Sequence, residues 1–443
     1  MRGLLLTALL APSLPLCFFR PFYGILLWTA MGILNPQDFA WGYGASFPWS
    51  AGIAIATVGG LLVFSRGWNG RLLSRECLLL ILLWGWFTVT SLISTQTPMF
   101  LHHADETWTR WIFVSKILLM TVAAIAVVES FQQLRVLVAV IAGCFGIFVL
   151  KALPFIIVTR GAYRVYGPEN SMLNDNNAVG LALNMTLPVF FFLAQTEWRR
   201  WRKRIFVFLF LITIPAIMCT YSRGALLGLV VVLTLMFFQL KQRLWLVPVM
   251  VLGLVFALVF APEKWRERMD PNQGIDSSAN SRLYAWTFAR NLAMDYPVAG
   301  GGFRTFTPEL FARYAPGGGS MVLGPHSVYF QILGEHGFAG LFLYLGVLAS
   351  AFLTTFRIAK TARLLGDYDV LQYAYMFRFS LAGFVTSGFF LGLAYFDHYF
   401  TILACIAILK STATKEWEMH FAEAGEAETA PEDIVPPHNT RTT

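Results

Sequence analysis

The chain has 443 residues, of which 57% are hydrophobic and 13% charged, against about 25% charged in an ordinary soluble domain. That composition excludes a soluble multidomain protein, and apolar runs of roughly 17 to 25 residues match the length at which a helix crosses hydrocarbon. The net charge of +8 is spread over short basic clusters beside those runs, which reads as positive-inside topology and not as a nucleic-acid-binding face.

In chain order, MRGLLLTALLAPSLPLCFF has the charged start and apolar centre of a signal sequence without a small-residue cleavage site. It reads as a retained span or signal anchor. Residues 4–35 form one broken span or a tight hairpin about Arg20 and Pro21. Clearer spans are expected at about 49–65, 76–95, 111–128, 136–158, 177–195, 205–221, 224–240, 244–262, 337–356 and 376–396. The run 399–412 is short and would cross by tilting or by thinning the bilayer. Arg66, Arg71 and Arg75, then Arg199 to Arg204, then Lys241 and Arg243, then Arg357, Lys360 and Arg363 fall on one side when the spans alternate, and that side is expected to be cytoplasmic.

The expected fold is therefore all-α and polytopic, with about twelve transmembrane helices and one large periplasmic loop containing short helices. An N-terminal bundle (1–262) precedes that loop (263–336). C-terminal spans (337–412) and a disordered cytoplasmic tail (413–443), rich in Pro, Thr and acids, follow it. Cys17, Cys77, Cys144, Cys219 and Cys405 lie apart in apolar stretches and read as small buried hydrophobes.

Four polar patches lie at span ends or on the non-cytoplasmic side. In TRGAYRVYGPENSMLNDNNAVG, Arg160 and Arg164 precede the cluster Asn174, Asp175, Asn176 and Asn177. That cluster is a helix N-cap, and it is also a place where free N–H groups and a dipole meet an anion. In TYSRGALLGL, Arg223 occupies a short turn between spans, either snorkelling or holding a phosphate at headgroup depth. In the long loop, Arg282, Trp286 and Arg290 share a helical face over Ser281–Met294. Gly300, Gly301 and Gly302 then form a turn that either approaches a ligand closely or only reverses the chain. The fourth patch is GPHSVYFQILGEHGFAG, in which His326 would lie in the first turn of a helix starting near Pro325, with Ser327, Gln331, Glu335 and His336 behind it. A histidine there suits proton transfer near neutral pH. His102 and His103 with Asp105 and Glu106 are ordinary for an interfacial loop and carry no metal assignment. Phosphate-loop and dinucleotide-binding patterns are absent.

The order of these patches resembles the O-antigen ligase and polymerase superfamily of bacterial envelope glycosyltransferases. The match rests on SRGALL (Ser222–Leu227), on SxNSRLxxWxxA followed by YPxxGxGxxxF (Ser278–Phe306), and on His326-Ser327, nine residues, Gly337, two residues, Gly340. The N-terminal stretch RPFYGILLWTAMGILNPQDFAWGYGASFPWSAGIAIATVGG is similar to O-glycosylation ligases associated with exosortase systems. The resemblance implies a multi-pass inner-membrane enzyme acting on the periplasmic side. It would pass a glycan from an undecaprenyl-diphosphate-linked donor to an acceptor hydroxyl, with inversion and without metal or other cofactor. The acceptor classes are lipid A core, protein and a growing glycan.

On that expectation Arg223, Arg282 and Arg164, with Arg290, bind the diphosphate, and developing leaving-group charge is stabilised electrostatically. His326 is the base or positions the hydroxyl. Trp286, Gly300, Gly302, Ser327, Glu335 and Asn176 support the site. The competing classes are a lipid-linked-glycan flippase and an assembly scaffold. A flippase would place ionisable groups at mid-span, where only Lys116, Lys151 and Arg378 are candidates.

Overall fold

Proline and arginine divide the N-terminal apolar stretch into three helices, α1 (Arg2–Leu10), α2 (Ser13–Phe19) and α3 (Pro21–Leu34). These come from a computed structural model that describes residues 2–40, 42–64, 70–239, 277–317 and 321–429. The expected span 244–262, the loop's beginning from Lys264, and Arg66, Lys241 and Arg243 lie outside the described residues. After α3 the chain caps on Asn35, makes a short turn and continues through α4 (Tyr43–Ser46) into α5 (Trp49–Phe64). Small residues bring these helices together: a Cβ on Gly24 would lie 1.9 Å from the Thr57 hydroxyl, and one on Gly60 1.9 Å from the Phe18 carbonyl.

The next helices are α6 (Arg75–Ser94), α7 (Ala104–Val127), α8 (Phe131–Val158), α9 (Asn176–Thr196), α10 (Arg200–Met218) and α11 (Arg223–Gln239). α9 is the centre of the bundle. Every residue from Ala178 to Ala194 is buried, as expected of a helix that is apolar all round. It packs against α10, α11 and α15 (Tyr368–Gly388). Gly180 and Gly228 permit the crossing with α11, where Asn184 Nδ2 donates to the Ala225 carbonyl at 2.7 Å and to the Ser387 hydroxyl at 3.0 Å.

Between α11 and α15 stand α12 (Ser277–Asp295), α13 (Pro308–Tyr314) and the long α14 (Val328–Leu365). α12 and α13 build a core of their own from Phe288, Leu292, Leu310 and Phe311, closed by Phe100 of the 98–103 turn. That turn is fastened to the loop by His102, whose Nε2 is 2.8 Å from the Thr307 hydroxyl, and by His103, whose Nε2 is 3.2 Å from the Gly301 carbonyl.

Among the described residues all regular structure is helical. Six helical stretches among the described residues are long and apolar enough to cross a membrane, and α3, α5 and α11 are shorter apolar helices. The chain is a multi-pass membrane protein, all-helical among the described residues. The five cysteines are buried and free.

Three boundaries differ most from the sequence reading, the first being the span expected at 337–356, which lies inside α14 (Val328–Leu365). The span expected at 376–396 is α15, which starts at Tyr368 and stops at Gly388. The residues before the expected start include Asp369 and Gln372, which interrupt the apolar run, while Arg378, inside the expected span, is buried with Nη2 donating to the Thr355 carbonyl at 2.9 Å. The tail expected to be disordered from residue 413 instead continues α16 (Asp397–Thr429). Its Ala, Glu and Lys content favours helix without burial, and Trp417 Nε1 donates to Asp367 at 2.9 Å. Residues 430–443 lie outside the described part.

Candidate active site

The segment before α14 places His326. The helix begins later than expected: Ser327 is its N-cap and Val328 its first residue, so His326 precedes the helix and does not occupy its first turn. His326 has φ 45°, a left-handed conformation that costs a non-glycine residue about 1–3 kcal/mol and persists only where its surroundings impose it. Those surroundings are visible. Trp286 of α12 donates its indole N–H to the Pro325 carbonyl at 3.1 Å and stacks on Phe330 at 4.9 Å with planes 5° apart. From the other side, a Cβ on Gly392 would lie 2.7 Å from Pro325 and 3.3 Å from the His326 nitrogen.

The turn after α15, Phe389–Gly392, gathers the remaining groups. The Arg282 guanidinium lies 6.0 Å from the Phe390 ring centroid. A Cβ on Gly224, the residue after Arg223, would lie 2.9 Å from the Phe390 Cβ. Phe389 packs edge-on against Trp286 at 5.3 Å. Arg282, the start of α11 at Arg223, and His326 therefore meet around one turn that the sequence patches did not include. α9 closes the group. Asp175 caps it by accepting from the Asn177 N–H at 3.2 Å, and Asn176 donates to the Thr220 carbonyl at 2.6 Å, tying the cap to the turn before Arg223.

Burial, followed by the Arg282 charge, holds the His326 imidazole below its usual range, and the Asp175 carboxylate opposes both. At neutral pH His326 is therefore an uncharged imidazole able to accept a proton. Beside it the Ser327 hydroxyl is fully buried and without a hydrogen-bond partner.

Further along α14 lies a second polar group, of different character. Glu335 accepts from the Arg304 N–H at 3.1 Å and from the Tyr395 hydroxyl at 2.5 Å. His336 Nε2 is 2.7 Å from the same hydroxyl, and its Nδ1 is 2.7 Å from the Thr90 hydroxyl. Because Tyr395 donates to Glu335, its oxygen is left to accept from His336 Nε2–H, while the Thr90 hydroxyl at Nδ1 is also 3.1 Å from the Phe87 carbonyl. The His336 ring stacks on Phe87 at 4.3 Å. Gln331 joins this group to the post-α15 turn, its side-chain oxygen accepting from the Ala394 N–H at 3.1 Å. Arg110, with its guanidinium 5.5 Å from the Tyr395 ring, is an electrostatic partner of Glu335. Thr90, Arg110 and Tyr395 escape sequence reading because each is a lone polar residue at or inside an apolar run. An arginine at the start of such a run is the signal that was available.

The other expected residues are placed apart. The Gly300–Gly302 turn approaches the chain's own backbone: Gly301 and Gly302 donate at 2.9 Å to the carbonyls of Gly334 and Glu335. A Cβ on Gly300 would lie 2.6 Å from the Gly337 nitrogen. The turn thus clamps the break in α14, where Gly337 has φ 68° and ψ −171°. Arg290 is exposed on α12 with no hydrogen bond or ion pair among the described residues. Arg164 borders a separate cavity of about 560 Å³ together with Lys151, and touches the Arg223 turn only electrostatically, through Tyr221. Tyr221 in turn donates to the Gly161 carbonyl at 2.6 Å.

Residues 208–345 match the O-antigen ligase family. That stretch belongs to the O-antigen ligase superfamily. The matched stretch contains Arg223, Arg282, Trp286, His326 and Glu335, while Thr90, Arg110, Tyr395 and the Phe389–Gly392 turn lie outside it. Arg164, Asn176 and the α9 cap fall in residues 1–198, which match a family of unknown function (DUF5935). No curated protein matches the chain. The match suggests a membrane glycosyl-transferring enzyme.

Proposed function

We propose that the protein transfers a glycan from an undecaprenyl-diphosphate-linked donor to an acceptor hydroxyl at the periplasmic face of the inner membrane. The observation that carries this reading is the convergence of His326, Arg282 and the Arg223 end of α11 on the Phe389–Gly392 turn. Uncharged His326 takes the proton of the acceptor hydroxyl as its oxygen bonds to the anomeric carbon. The bond from that carbon to the diphosphate oxygen breaks, and undecaprenyl diphosphate leaves with the electron pair. One displacement inverts the anomeric centre. The charge that develops on the diphosphate is met by the guanidiniums of Arg282 and Arg223, whose planar forks suit phosphate oxygens. In this reading the arginines do the work that a divalent cation does elsewhere.

The test is reconstitution of the purified protein in liposomes with an undecaprenyl-diphosphate glycan and, separately, lipid A core, a secreted protein and a free glycan, with and without chelator. Product with at least one acceptor, undiminished by chelator, is expected. Translocation of the donor without transfer would contradict the reading and favour a flippase.

A further inference from the structure

A cavity of about 280 Å³ lies between α3, α7, the 168–173 loop and the start of α16, and it contains chemistry that the transfer step above does not use. His398 lines it, is 3% exposed, and has neither ring nitrogen in a hydrogen bond. An imidazole always has at least one N–H to give and, when neutral, one lone pair to fill, so leaving both unsatisfied in a buried position is costly. Next to it, Asp397 accepts from the Trp28 indole N–H. A Cβ on Gly32 would fall 2.5 Å from the Asp397 carboxylate, so the missing side chain at Gly32 is what gives the carboxylate its place.

The lining has a definite chemical bias. The carboxylate of Asp397 accepts, Lys116 donates, His398 does one of each, and Asn35, Gln37 and Asn170 add neutral amides. A hydroxyl group, which both donates and accepts, fits such a mixed set. A diphosphate does not, since no arginine lines the cavity and a carboxylate does. Trp28 and Phe396 supply flat apolar surface of the kind that receives the C–H face of a sugar ring. The volume is just below the roughly 300–1,000 Å³ range of small-molecule pockets, too small for an isoprenoid chain and suited to a single ring.

The cavity also adjoins the site. Leu173 in its wall is followed closely by Asp175, whose charge acts on His326, and Asp397 follows the turn in which Gly392 lies against the His326 backbone. We propose that this cavity is a saccharide subsite that takes one neutral sugar ring, with His398 and Asp397 bonding its hydroxyls. The ring belongs either to the donor glycan or to a glycan acceptor. That origin rests on the glycan-transfer reading; the binding of a sugar does not.

The test therefore has two parts. In the first, saturation-transfer NMR is recorded on the full-length protein in nanodiscs with free glucose, galactose, rhamnose and N-acetylglucosamine. Magnetisation transfer to the ring protons of at least one sugar is expected. It should drop at least five-fold in His398→Phe, which keeps the shape and removes both nitrogens, and in Ser50→Trp, which fills the cavity from α5. Thermal unfolding identifies any variant that fails to fold. Absence of transfer to every sugar in the wild-type protein, or equal transfer in both folded variants, overturns the proposal.

In the second part, steady-state glycan transfer is measured with His398→Phe. A several-fold rise in the acceptor KM with kcat retained assigns the ring to the acceptor, and a rise in the donor KM assigns it to the donor. Both KM values unchanged overturns the proposal. If the wild-type protein transfers nothing, it is the glycan-transfer reading that falls, and the NMR result still decides whether a sugar binds.

Discussion

His326 and His336 stand on the same short stretch of chain and are treated in opposite ways. His336 is wholly buried, stacked on Phe87, and satisfied at both nitrogens by Tyr395 and Thr90. His326 is only partly buried, held in a left-handed conformation, and surrounded by charges of both signs from Arg282 and Asp175. A satisfied histidine with no spare lone pair holds helices together. One kept uncharged beside cations, at the edge of the bundle, is placed for proton transfer. The sequence motif contains both, so the histidine alone does not identify the chemistry; its partners do.

The largest effect that would break this contrast is on folding. Tyr395→Phe leaves the Glu335 carboxylate and His336 Nε2–H without their shared hydroxyl, two buried groups at roughly 1–3 kcal/mol each. The yield and melting temperature of the detergent-purified protein should fall clearly, while Arg290→Ala on the exposed face of α12 leaves both unchanged. Next in size are the cations. Arg282→Ala and Arg223→Ala are each expected to lower kcat by roughly 10²–10³-fold, the usual loss for one donor to developing charge, with melting temperature retained. Equal losses in melting temperature and rate would instead make them structural.

A subtler effect concerns pH. Because Arg282 depresses the His326 imidazole, Arg282→Gln should raise its pKa and move the acidic limb of the rate profile to higher pH. Asp175→Asn removes the opposing carboxylate and should move that limb lower. Shifts in the reverse directions would remove His326 from the role of base. The smallest effect is expected from Trp286→Phe, which keeps the stack on Phe330 and loses the bond to Pro325. A few-fold fall in kcat, with KM nearly constant, would show that Trp286 positions His326.

Much of the helical plan was legible, because long apolar runs leave the chain no other way to satisfy its backbone in lipid. Where it was misread, polar residues inside helices were responsible. Asp369 and Gln372 hid the start of α15, Glu335 with His336 kept the expected apolar span from starting before Gly337, and the polar residues after Thr412 hid the continuation of α16. Within the site, Arg223, Arg282 and His326 were readable because each lies at a helix end or on a helical face next to polar neighbours. The Phe389–Gly392 turn that gathers them is apolar, and only tertiary packing reveals it. Gly300 and Gly302 were legible as a tight turn but not as the clamp on Gly337, since a glycine does not record whether ligand or backbone comes close. Arg164 shares a sequence patch with the α9 cap, yet the fold turns it toward Lys151 and another cavity.

The central claim is that His326 does chemistry and His336 does not. The most direct measurement is the single-turnover rate of glycan transfer by folded His326→Ala in liposomes, compared with wild type at equal protein. A loss of roughly 10²–10⁴-fold with an unchanged melting temperature is predicted. A rate equal to that of the wild-type protein would contradict the account.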